Sequence, residues 1–325
     1  MGHSAIHAHE EASTVYDFDF SPEALFEPGR ARHYFGDAFS NPPDWSATAF
    51  SARRALWLAE LSRWVYHDST GEPSPPAHSG QPLDPVELLE GRLFERDGTR
   101  AALVTIDGAT QGERALVFRG THAHADWLSN LDALLVPAPR GGLVHKGFSD
   151  ALDRIWPELS SALETLEGPV IYAGHSLGGA LATIAASRRS PHTLYSFGAP
   201  RVGNSDFNAS LEDTPWFRVV NGRDLVCQVP PPLPPLGFSH GGSAAYIAQD
   251  GSLNAEASES FMLRDQWRLE WWAVPAEQRK RLFLDLPKLL TDHAPINYVA
   301  QLQRICASAA GHRPRPASEA DGHAL

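Results

Sequence analysis

A serine with glycines two residues to either side, in Gly174-His175-Ser176-Leu177-Gly178, is the residue of this chain best suited to chemistry. The run Val170 to Ala173 reads as a strand, and the small-residue run Gly179 to Ser187 reads as a helix. A serine held on such a strand-turn-helix junction takes backbone angles that lift Oγ above the sheet, and the glycines let strand and helix approach. Ser176 is therefore a candidate nucleophile for acyl transfer. A five-residue pattern recurs in unrelated chains, so its context has to carry it. The competing reading is a phosphate-binding helix N-terminus, but the Lys-Ser/Thr of a P-loop and the G-x-G-x-x-G spacing are both missing here.

A serine hydroxyl attacks only when a base takes its proton, and an imidazole base needs an acid to fix its tautomer and stabilise the imidazolium. Hydrolases of this kind run Ser, then Asp or Glu, then His along the chain. Asp206, Asp213 and Asp250 fall in helix, turn or insertion contexts, which leaves Asp224, three residues beyond the strand-like run Trp216 to Asn221. The plainer reading of Asp224 is a turn residue in Asn221-Gly222-Arg223-Asp224. Among the histidines, His192 starts a strand, at the wrong end for an active site, and His312 and His323 lie in the C-terminal tail. Pattern alone does not separate His240 from His293.

The elements that must position these residues follow from periodicity. Phe50, Leu58, Leu61 and Val65 give an amphipathic helix within residues 46–66. Breaker-rich residues 68–86 form a loop. Ala101 to Ile106 and Arg114 to Arg119 predict a hairpin. A helix from about Phe148 to Glu167 contains Pro157, which predicts a kink or a late start. Thr193 to Phe197 and Trp216 to Asn221 are strands with a short helix near Asn204 to Leu211 between them, so the alternation implies a parallel sheet with crossover helices. Further on come a stiff proline loop at Pro230 to Pro235, an amphipathic Trp-rich segment from Phe261 to Trp272, a basic turn at Gln278 to Arg281, and a helix near Ile296 to Ile305. Residues 1–45 read as irregular and 309–325 as a disordered tail.

Composition narrows the function classes. With 325 residues and 42% hydrophobic content the chain supports a sizeable core, and its net charge of −12 without any basic block argues against nucleic acid and against anchoring to anionic lipid. Its two cysteines, Cys227 and Cys306, make no disulfide framework, although one bridge between them stays open. No apolar run is long enough for a membrane span, and no basic n-region with an apolar h-region opens the sequence. The expectation is a cytoplasmic protein, with leaderless secretion left open. His3, His7, His9 and Glu10 read as solvated. Thr121-His122-Ala123-His124-Ala125-Asp126-Trp127 comes close to the H-x-H-x-D-H motif of zinc hydrolases, but Trp127 stands where the last histidine belongs. No cofactor and no metal is expected, and a zinc hydrolase using His122, His124 and Asp126 is the remote alternative.

Several ordered blocks together resemble the class 3, fungal-lipase-like lipase family of the α/β-hydrolase fold. They are Val117-Phe118-Arg119-Gly120-Thr121, Val144-His145-Lys146-Gly147-Phe148, the elbow Gly174 to Gly179, Phe197 to Asn204, Arg218-Val219-Val220-Asn221 before Asp224, and Val229-Pro230-Pro231-Pro232 after it. The resemblance implies an α/β domain over residues 46–308 with a mostly parallel central sheet flanked by helices on both faces. It places the oxyanion hole at Thr121 and the backbone N–H of Leu177. It also makes Asp224 the acid and His293 the base, with His240 in reserve. A lid over about 122–131, with His122, Trp127 and Leu128 toward lid or substrate, and a longer segment at about 241–290 are further implications. The implied function is a serine hydrolase of carboxylic esters, a triacylglycerol lipase, able to meet a lipid interface transiently. A carboxylesterase or phospholipase A1 is the alternative within the class, and a non-catalytic lipid- or protein-binding hydrolase fold the alternative outside it.

Overall fold

The computed structural model describes residues 18, 19, 21, 24, 43–66, 91–106, 113–120, 134–232, 237–266 and 291–309. In chain order its elements are α1 (Ala52–Trp64), β1 (Gly91–Arg96), β2 (Thr99–Thr105), β3 (Arg114–Phe118), β4 (Leu135–Pro137), β5 (Leu143–His145), α2 (Lys146–Glu164) and β6 (Val170–His175). Then follow α3 (Leu177–Arg188), β7 (Thr193–Phe197), β8 (Gly203–Asn204), α4 (Ser205–Ala209), β9 (Trp216–Asn221) and a 3-10 turn at Leu225–Gln228. The rest comprises β10 (Phe238–Ser239), β11 (Ser243–Ile247), β12 (Leu253–Asn254), α5 (Glu259–Gln266), a 3-10 turn at Thr291–His293 and α6 (Pro295–Ala309).

Eight strands make one sheet in the order β1-β2-β3-β6-β7-β9-β11-β12. Its inner strands, β3, β6, β7, β9 and β11, run parallel, and antiparallel β1, β2 and β12 close the two edges. A small antiparallel sheet, β10-β8-β5-β4, stands apart from it. Side chains leave a strand on alternate faces, and here both faces are apolar. Ala115, Val117, Ile171 and Ala173 join a core with α1 and α6, whereas Leu116, Phe118 and Tyr172 join another with α2 and α3. A parallel sheet covered on both sides is the outcome expected of near-continuous hydrophobic strands, and it agrees with the fold class expected from the sequence.

The predicted hairpin is present as β2 and β3, paired antiparallel with Ala101 opposite Phe118. The edge strand β1, which carries one inward residue, Phe94, was not anticipated. Nor does Pro157 delay its helix: α2 starts at Lys146 and runs through the proline to Glu164. An interior proline costs about 3 kcal/mol, but α2 buries Phe148, Leu152, Ile155, Leu159 and Leu163, each contributing about 1.5–3 kcal/mol. Ser160 and Ser161 Oγ both donate to the Pro157 carbonyl at 3.1 Å.

Part of the segment read as 241–290 is built into the sheet, where β11 pairs with β9, and α5 follows it. Residues 267–290, the basic turn at 278–281, residues 68–86, most of 1–45 and the tail from 310 onward lie outside the described residues. Cys227 and Cys306 are both free thiols. Among the described residues no helix is long and apolar enough to cross a membrane. One distant tie joins the early chain to α6: Asp19 N–H donates to Asn297 Oδ1 at 2.7 Å, and Asn297 Nδ2 donates back to the Asp19 carbonyl at 2.8 Å.

Candidate active site

Ser176 sits between β6 and α3 with φ 58° and ψ −128°, a left-handed conformation that side chains other than glycine rarely hold. Its N–H is tied to the Phe197 carbonyl of the neighbouring strand at 2.8 Å, and its own carbonyl accepts from Gly179 N–H at 3.0 Å. The turn closes because the flanking glycines have no Cβ. A methyl on Gly174 would collide with the backbone of Gly178, and one on Gly178 with the Phe118 carbonyl at the end of β3. Ser176 Oγ is buried and hydrogen-bonds to no described group. Such contacts commonly tighten only when substrate is bound.

Asp224 and His293 lie 69 residues apart in sequence and meet at the same end of the sheet. His293 Nδ1 and Asp224 Oδ2 are 2.8 Å apart, and both side chains are fully buried. Asp224 is placed by the turn after β9, where its Oδ1 caps the 3-10 turn by accepting from Val226 N–H at 2.9 Å. His293 ends the 3-10 turn that leads into α6. That turn is held to β9 in two ways: Asn221 Nδ2 donates to the Asp292 carbonyl at 3.0 Å, and Asp292 Oδ2 accepts from Arg223 N–H at 2.7 Å.

Further residues that sequence reasoning missed complete the surroundings. Tyr298 OH donates to Asp224 Oδ2 at 2.6 Å and accepts from Asn221 N–H at 3.2 Å. Burial, with the charge of Asp224 adding, keeps that hydroxyl well above its ordinary pKa, so it stays a donor. His175, beside Ser176, donates from Nε2 to the His293 carbonyl at 2.6 Å, while Tyr66 OH on the α1 side lies 3.1 Å from its Nδ1. The two imidazole rings, His175 and His293, lie 4.5 Å apart between centroids. Gly198, at φ 58°, lies against the pair: a Cβ there would lie 2.5 Å from Asp224 Oδ2 and 3.0 Å from His293 Nδ1. The sequence signalled these only weakly, through the position of His175 inside the elbow and of Gly198 just past a strand.

The structure thus brings Asp224 and His293 into contact, and His175, the neighbour of Ser176, bonds to the His293 carbonyl. His240 is elsewhere, with its Nε2 donating to the Cys227 carbonyl at 2.8 Å. Leu177 opens α3, so its N–H is among those a helix leaves without an internal partner. Thr121, the lid at 122–131 with His122, Trp127 and Leu128, and the zinc-like trio His122, His124 and Asp126 lie outside the described residues. Gly120, just before Thr121, packs against Tyr66 OH and the His175 carbonyl, so β3 delivers the chain to the elbow.

With this geometry in view, comparison with known proteins is informative. Residues 115–233 match the family model described as Lipase (class 3). A lipase of Rhizomucor miehei is 34% identical over 153 residues, covering 42% of this chain and 42% of its own length. A secreted mono- and diacylglycerol lipase of Malassezia restricta is 34% identical over 144 residues, covering 39% of this chain and 45% of the relative. A phospholipase A1-II 1 of Oryza sativa subsp. indica is 32% identical over 172 residues, covering 42% and 44%. The chain therefore spans under half the length of these curated relatives. Among solved structures, Rhizomucor miehei triacylglyceride lipase superposes with a TM-score of 0.53 at 27% identity, covering 63% of this chain and 84% of that one. A fungal lipase-inhibitor complex gives 0.54 at 25% identity, covering 69% and 91%. The cytoplasmic location expected from the sequence is overturned by these relatives, one of which is named as secreted. That expectation rested on seeing no signal-peptide pattern near residue 1, which says nothing of where the folded domain resides. The elbow, the sheet order that carries it and the matched segment agree in making this chain similar to the class 3 lipases.

Proposed function

We propose that the protein is a serine hydrolase of carboxylic esters of lipids, with Ser176 as nucleophile, His293 as general base and acid, and Asp224 as the orienting carboxylate. The observation that carries this reading is the buried Asp224–His293 hydrogen bond formed at the same sheet end as the strained Ser176. Because Asp224 engages Nδ1, the neutral imidazole keeps its proton there and presents Nε2 as the basic nitrogen.

In the reaction, Ser176 Oγ bonds to the ester carbonyl carbon while its proton passes to His293 Nε2. The imidazolium is stabilised by Asp224, and the carbonyl π electrons move onto the oxygen. That oxyanion is received by the Leu177 N–H at the start of α3 and by Thr121; each such donor is worth about 3–4 kcal/mol in the transition state. The carbon–oxygen bond to the alcohol then breaks, and the alcohol leaves with the proton from His293. Water, deprotonated by His293, attacks the acyl-serine, and collapse of the second intermediate frees the acid and restores Ser176.

The names of the relatives favour acylglycerol esters, and that of the rice relative also favours the sn-1 ester of phospholipids. Transient adsorption at a lipid interface belongs to this reading. The test pairs p-nitrophenyl esters of increasing chain length with emulsified triacylglycerol and phosphatidylcholine. We expect Ser176→Ala to lose turnover and fluorophosphonate labelling while keeping the wild-type melting temperature. Turnover retained in that variant would sink the mechanism.

A further inference from the structure

Behind the 3-10 turn that follows Asp224 lies a pocket lined by Arg201, Arg218, Cys227, His240 and Glu259 among others, with none of Ser176, Asp224 or His293 in its lining. Arg201 comes from the loop after β7, Arg218 from β9, His240 from the loop after β10, and Glu259 opens α5. Both arginines are more than nine-tenths buried, at 7% and 6% exposure. Burying two guanidiniums side by side is costly unless carboxylates pair with them. Here neither has an ion-pair partner among the described residues.

Their hydrogen bonds go instead to carbonyls. Arg201 Nη1 donates to Gln228 at 2.5 Å and Pro230 at 3.0 Å, and Arg218 Nε donates to Gly241 at 2.7 Å. A guanidinium carries five N–H donors. Arg218 therefore keeps both terminal amino groups without a bond to any described residue, and Arg201 keeps Nη2 and Nε, all beside the pocket. His240 spends its Nε2–H on the Cys227 carbonyl. Burial holds Arg218 down to about 10, with Arg201 adding to the effect, and burial followed by the two arginines drives His240 well below its ordinary value. Glu259, the acid lining the pocket, is exposed and forms no ion pair with either arginine.

We propose that this pocket is a binding site for a phosphate-type oxyanion, with Arg201 and Arg218 as its ligands and the Glu259 carboxylate competing for them from the rim. Guanidinium donors and two positive charges line this space, with Glu259 the one carboxylate among its described lining residues, and a multiply charged tetrahedral anion can take several of those donors at once. The site is independent of the Ser176 chemistry. Two sources share its ligand chemistry: free inorganic phosphate and the phosphomonoester of a lipid-derived glycerol phosphate.

The test is calorimetric titration of the full chain with inorganic phosphate and, separately, with glycerol 3-phosphate, each against sodium chloride of equal ionic strength. One-to-one saturable binding is expected for at least one phosphate, and whichever binds more tightly identifies the source. Glu259→Gln, at an exposed position, is expected to tighten binding at least about threefold by removing a competing charge. Arg218→Met is expected to abolish it. If that variant fails to fold, the Glu259→Gln comparison still decides. Binding no different from chloride, or an affinity unchanged by Glu259→Gln, would overturn the proposal.

Discussion

Tyr298 and Gly198 shape the Asp224 carboxylate as much as His293 does. One oxygen of Asp224 accepts from both His293 Nδ1 and Tyr298 OH, and the other caps the adjoining turn. A carboxylate with its lone pairs so occupied holds one orientation, and the imidazole inherits it. Asp224→Asn presents an amide that lets the histidine settle into the wrong tautomer, and kcat is expected to fall by about four orders of magnitude. Tyr298→Phe removes a charge-assisted bond and leaves Asn221 N–H without its acceptor, for a stability loss of about 1.5–3 kcal/mol. Its kcat should fall far less than that of Asp224→Asn. Denaturant melts and ester kinetics on both variants check this pair, and equal kinetic losses would make Tyr298 part of the chemistry. Ser176 and Asp224 stood out as candidates by type and chain order, whereas His293 was preferred to His240 only through the family resemblance. Tyr298 did not stand out, because a tyrosine in a helix looks like core, and its partner lies 74 residues earlier.

At the scale of elements, the elbow depends on close approach. β6 ends against α3, and Gly178 lies on the carbonyl of Phe118 in the next strand. Gly178→Val has no room to relax, because the obstruction is sheet backbone, and a loss of more than about 3 kcal/mol is expected, seen as insoluble expression or a much lowered melting temperature. A near-native melt would mean that β3 yields. β6, β7 and β9 were legible as largely apolar runs alternating with helices, whereas β11, parallel to β9, falls in the stretch read as an insertion. β1 was invisible because it is an edge strand exposed along all its length except Phe94. The run of α2 through Pro157 escaped a local rule because the decision was made by tertiary packing, which no local window contains.

For the molecule as a whole, the pH response reports how the ends of the sheet are charged. Burial, with the charge of Asp224 adding, raises the pKa of Asp292 despite the Arg223 N–H that it accepts. A carboxyl whose folded pKa lies above its unfolded value stabilises the fold at low pH, and that contribution is lost as pH rises through the folded pKa. Asp292→Asn keeps an acceptor for Arg223 and removes the buried charge. The variant is expected to melt above wild type at pH 7, with the gap closing as pH falls through the raised pKa of the wild-type carboxyl. Melting curves at stepped pH measure this, and a gap that does not change with pH would place the effect elsewhere.

The seating of His293 has a consequence for the newborn chain. Ser176 and Asp224 leave the ribosome well before His293, which is delivered on the turn that leads into α6. That helix docks on α1 and is tied by Asn297 to Asp19, 278 residues earlier. On the proposed mechanism, a chain in which His293 is not yet seated carries Ser176 without its base, and a chain cut short before Asp292 is expected to hydrolyse no ester.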